Sequence, residues 1–133
     1  MISEKEFHAL QEAKIERAKR LLNIVTRIGA AEIAGEREVL EKGIHILADH
    51  LPLLLDKIKA QQKLCGKDNQ CIALIDEEIS ALSGRNKELG TSLIEHVRQA
   101  ERGIVRLQVF PVSQALILIL GREKSLKKLY AAA

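Results

Sequence analysis

Between Ile72 and Leu107 the chain keeps an alternating three- and four-residue spacing over five heptads, through residues 72, 75, 79, 82, 86, 89, 93, 96, 100, 103 and 107. These positions read Ile, Ile, Ile, Leu, Asn, Leu, Leu, His, Ala, Gly and Leu, with Val97 and Ile104 beside the line. Apolar residues at that period lie along one side of an α-helix and need a partner helix to cover them. The spacing therefore predicts a helix of about 40 residues, ~60 Å long at ~1.5 Å per residue, and an elongated body around it. Asn86 is the polar member of this seam. A polar residue there fixes helix register at a cost in stability; its alternative is an exposed side chain beside Ser83 and Gly84.

Two further helices precede it. Ser3, with Glu6 three residues on, has the spacing of a capping box and opens a first helix expected to reach Ile28. Ala18, Leu21, Val25 and Ile28 form its inward face, whereas Gln11, Lys14 and Arg17 make the preceding turns polar enough to protrude. The glycines at 29 and 35 place the first connection. A second helix is expected from Glu36 to Lys63, with Leu40, Ile44, Leu47, Leu51, Leu54, Leu55 and Ile58 on one side. Pro52 inside it removes a backbone donor and predicts a kink near Ala48. Gly66 then stops the helix, and Asp68 or Asn69 caps the next.

Pro111 is expected to end the third helix. Beyond it the chain changes character, with the uncharged run Ala115–Leu120 followed by Gly121, a basic cluster and Leu126, Leu129 and Tyr130. Such a run must be covered, either by the bundle as a fourth short helix or by a partner. Helix-in-groove binding makes Leu116, Ile117, Leu118, Ile119 and Leu120, with Leu126 and Leu129, the expected binding surface. The fold class is thus all-α: an elongated antiparallel bundle with three long helices and a short C-terminal apolar helix or tail. Residues 1–110 make the body and 111–133 the apolar and basic segment.

Charge and composition narrow the function classes. The chain has 20 Leu and 15 Ile against two Phe, one Tyr and no Trp, which favours helical seams over a β-sandwich. The formal net charge of +3 resides entirely beyond residue 110, since the first 110 residues carry 17 basic and 17 acidic side chains. A neutral body without stacking aromatics is a poor nucleic-acid binder. The N-terminal residues show no basic stretch followed by an apolar one, and the 115–120 run is far short of the ~20 residues that span a bilayer, so a cytoplasmic protein without stable membrane insertion is expected. None of His8, His45, His50 and His96 has glutamate three residues before it, as a di-iron bundle requires. No phosphate loop, nucleophile elbow or zinc-protease pair is present, so neither enzyme activity, a metal nor another cofactor is expected. Cys65 and Cys71 lack zinc spacing and stand as two thiols or a disulfide.

Three stretches resemble the FlgN family of flagellar type III export chaperones: Ala34-Gly35-Glu36 leading into Leu40-Glu41-Lys42, the segment from Leu82 through Asn86 to Leu93-Ile94, and the terminal Leu129-Tyr130. The resemblance implies a small helical chaperone that binds hook-associated protein subunits through its C-terminal region and escorts them to the export machinery. It also implies that Tyr130 docks on the export gate. The competing expectation is a structural coiled-coil protein without cargo, forming a homo-oligomer through the third helix.

Overall fold

The computed structural model describes residues 2–114, and among them the regular structure is entirely helical. Helix α1 spans Glu4–Ala34, α2 Arg37–Lys63, α3 Asn69–Ser83 and α4 Leu93–Glu101; a further helical turn begins at residue 109 and runs to 114. Leu116 to Leu120, Leu126, Leu129 and Tyr130, expected to form the binding and docking surfaces, lie outside the described residues.

The first helix starts where its sequence says it should. The Ser3 hydroxyl accepts the Glu6 N–H at 3.1 Å while Glu6 accepts the Ser3 N–H at 3.2 Å, closing a capping box. The helix then passes through Gly29 without a break and ends six residues later than expected. Gly35 ends it at φ 72°, a left-handed conformation that costs glycine nothing, and its N–H reaches back to the carbonyls of Ala31 and Glu32. Leu21, Val25 and Ile28 are each 1 % exposed, as the seam requires. Opposite them Gly43 of α2 lets the helices close: a β-carbon there would stand 2.8 Å from Ile28 Cγ1.

The polar turns of α1 do not protrude. Lys14 is 2 % exposed, and its ammonium donates to the Leu74 carbonyl at 2.9 Å. Arg17 clasps the Glu78 carboxylate with two hydrogen bonds of 2.8 and 2.6 Å and donates a third to Gln61 at 2.8 Å. The long stems of these cations cover apolar surface while their heads find partners on α2 and α3, which is how a polar stripe comes to be interior.

Helix α2 is the centre of the bundle, in contact with α1, α3 and α4. It runs on through Pro52 as one helix and buries Leu47, Ala48, Leu51, Leu54 and Ile58. Cys65 and Cys71 are joined by a disulfide across the turn into α3, with Cα atoms 5.5 Å apart. Asp68 within this loop accepts the N–H groups of Gln70 and Cys71, each at 3.1 Å, and caps α3. Closing so short a loop restrains the unfolded chain by about 2 kcal/mol. Replacing both cysteines by serine should lower the thermal midpoint by several degrees, and adding reductant to the parent chain should have the same effect.

The third long helix is not formed. Helix α3 stops at Ser83, and nine residues intervene before α4. Gly84 donates back to the Ser80 carbonyl, Asn86 and Thr91 pair across the loop at 3.0 Å, and Gly90 turns the chain at φ 73°. The Ser92 hydroxyl then accepts the Glu95 N–H to open α4. Glycine, asparagine and serine supply caps and a turn here that a continuous helix would forgo, and they prevail over the heptad period. Both pieces nonetheless pack on α2, so α3 and α4 occupy in two segments the place expected of one rod. Self-association through a continuous seam from 72 to 107 therefore has no continuous helix to act through. Pro111, expected to end that helix, instead lies in the first turn of the one beginning at 109, where a missing N–H costs nothing. The core continues to Val112, which is 1 % exposed.

Candidate functional site

The described surface has a cleft of about 530 Å³ at the end of the bundle where α1 finishes, α2 begins and the chain leaves α4. Gly35 makes the tight turn that brings the two long helices together, so Ala31 of α1 and Leu40 and Ile44 of α2 line one side. Ala100 of α4 and Val105 and Leu107 of the following loop line the other. This loop starts at Gly103, whose φ of 74° turns the chain off the helix.

Charged side chains share this lining. Arg106 donates to Glu32 at 3.0 Å, joining two of the lining residues, and His45 meets Glu101 at 2.9 Å between α2 and α4. In each bridge the basic partner is largely open to water, so both add little stability. Ile33, Ile104 and Phe110 are 91 %, 65 % and 69 % exposed and stand within three residues, in sequence, of the lining residues Glu32, Val105 and Leu107. Aliphatic side chains together with Glu32, Arg37, Glu41 and Arg106 in one lining suit an amphipathic helix, with both an apolar and a charged side to meet. Among the described residues no group of three histidine, cysteine or carboxylate side chains is placed to hold a metal ion, and no helix is long and apolar enough to cross a membrane.

One buried hydrogen bond holds the loop that forms the cleft wall. His96, 3 % exposed, accepts the Gln108 N–H through Nε2 at 3.0 Å, and Gln108 directly follows Leu107. Burial disfavours the imidazolium and holds the pKa of His96 below the ordinary histidine value. His50 is shifted the same way, by burial first and then by Lys57 and Arg20, and its Nε2 is buried without a hydrogen-bond partner among the described residues. Native histidines with lowered pKa values bind fewer protons than they do unfolded. Their contribution is therefore complete above the unfolded value of about 6.5 and is lost as pH falls through the folded-state values. Thermal midpoints measured from about pH 7.5 down to about pH 5 should decline. His96→Gln, whose amide oxygen can take the same N–H but cannot become protonated, should flatten that decline.

Of the residues singled out from the sequence, Asn86 is described, and it stands in the α3–α4 connection rather than on a helix seam. Its Oδ1 accepts the N–H groups of Glu88 and Leu89 at 2.9 and 3.2 Å, and its carbonyl accepts from Gly90. The cleft was not foreseen, because its wall is the loop that replaces the end of the expected third helix. The signal available for it was Gly103 followed by the consecutive apolar pair Ile104-Val105, which no single helix face accommodates. No protein-family model matches the chain, and neither a curated protein nor a solved structure matches it significantly.

Proposed function

We propose that this chain is a protein-binding helical chaperone of the type III export kind, which holds apolar segments of a cargo protein. The observation that carries the reading is the cleft among α1, α2 and α4, which sets aliphatic side chains beside charged ones, with exposed Ile33, Ile104 and Phe110 near its lining residues in sequence. The uncharged run from Ala115 to Leu120 follows the last described residue directly, and in this reading it supplies a second apolar contact for a cargo helix. In this reading Leu116 to Leu120, Leu126 and Leu129 contact the cargo and Tyr130 docks on the export gate. The cargo is a hook-associated subunit, and the encounter takes place in the cytoplasm.

Titration calorimetry with terminal helical segments of hook-associated subunits tests this directly. Binding in the micromolar range is expected, reduced about tenfold or more by Ile44→Asp in the cleft wall and by Leu118→Asp in the apolar run. Failure of every such segment to bind the intact chain refutes the flagellar reading, and binding indifferent to both substitutions refutes the proposed surface.

A further inference from the structure

The outward face of α2 carries a second apolar feature, away from the cleft floor. Val39, Ile46 and Leu53 are 52 %, 52 % and 63 % exposed and are spaced by seven residues, so they stand in line over about 21 Å of helix. The opposite side of α2 is occupied, with Leu47, Leu51, Leu54 and Ile58 turned into the bundle. Between the three apolar residues, on the same outward side, lie Lys42 and Asp49. Neither has an ion-pair partner among the described residues. Three apolar side chains at heptad spacing with charges between them make one half of a short coiled-coil contact.

We propose that this face pairs with the same face of a second copy of the chain, antiparallel, about a two-fold axis through Ile46. The spacing and the charges both select that arrangement. Val39 and Leu53 are each seven residues from Ile46, so about this axis each meets the other residue of the second copy, and Ile46 meets itself. Lys42 lies four residues before the axis and Asp49 three after, so each lysine falls within one residue of the other copy's aspartate. Two equivalent ion pairs result, flanking the apolar centre. A parallel pairing would instead set Lys42 against Lys42 and Asp49 against Asp49, which like-charge repulsion disfavours. At the two ends Asp56 approaches Glu36 of the second copy, which limits the length of the contact. Three apolar residues from each copy form an interface at the small end of specific ones, so the dimer is weak, with a dissociation constant in the range of tens of micromolar, roughly.

Sedimentation equilibrium of the full chain over a concentration range spanning that constant should show its mass rising from one chain toward two. Ile46→Glu, at an exposed position, should hold the mass at one chain without changing the thermal midpoint. Lys42→Asp or Asp49→Lys alone should weaken association about tenfold, and the two together should restore it, because the exchanged charges again face opposite partners. A mass independent of concentration overturns the proposal. So does association that survives Ile46→Glu but is lost when residues 115–133 are removed, which would assign it to the apolar run.

Discussion

Arg17→Met should destabilise the protein by about 3 kcal/mol, enough to lower the thermal midpoint by about 10 °C or more. The Arg17 and Glu78 side chains are only 12 % and 10 % exposed, and the guanidinium is the group that meets both carboxylate oxygens. Methionine keeps the length and apolar stem of the side chain but leaves the carboxylate in the packed junction of α1 and α3 with its charge uncompensated. Most of the loss belongs to that stranded charge rather than to the bridge itself, so Arg17→Met combined with Glu78→Leu should recover much of it. Denaturant unfolding of the two single variants and the double variant measures the difference. Equal losses in the single and double variants would show that packing of the arginine stem, not charge pairing, holds the junction.

Leu51→Ala should cost about 3 kcal/mol, whereas Leu53→Ala, two residues along the same helix, should cost almost nothing. Leu51 is 0 % exposed at the centre of α2, where the neighbouring helices cannot all close on the space its side chain leaves. Leu53 is 63 % exposed, and its removal opens no cavity. The comparison holds helix propensity nearly constant, since both changes are leucine to alanine within one turn. It therefore isolates burial. Dilute thermal or denaturant melts, where self-association contributes little, are the appropriate measurement.

Much of the first half of the chain was readable from local signals. The Ser3–Glu6 capping box, the seam from Ala18 to Ile28 and the buried line of α2 depend on local preferences and helical periodicity that agree with each other; the glycines at 29 and 35 located the first connection, of which only Gly35 ends the helix. From residue 84 onward those two sources of information conflict. The spacing through 86, 89, 93 and 96 asks for one helix, while Gly84, Asn86, Gly90 and Ser92 offer caps and a turn, and α3 and α4 show which won. Asn86, a seam residue by position, accordingly became a turn residue. The cleft followed from the same departure, because the 102–108 loop that walls it exists only where the long helix fails. Lys14 and Arg17 were misplaced for a different reason: a cation in a core-facing stripe looks exposed until Leu74, Gln61 and Glu78 are known to stand opposite.

The sequence by itself determined the helical class, the two long helices and the side of each that faces inward, because periodicity and capping act within a few residues of the chain. Only the tertiary structure decided that the polar turns of α1 are interior, that Cys65 is bonded to Cys71, and that Glu32, Ile44, Ala100 and Leu107 surround one cleft. Each of those outcomes depends on groups distant in sequence or on a loop closing between helices. Their energies arise when the helices meet: a buried cation finds its carboxylate, two sulfur atoms come within bonding distance, and an apolar floor takes shape from three separate elements.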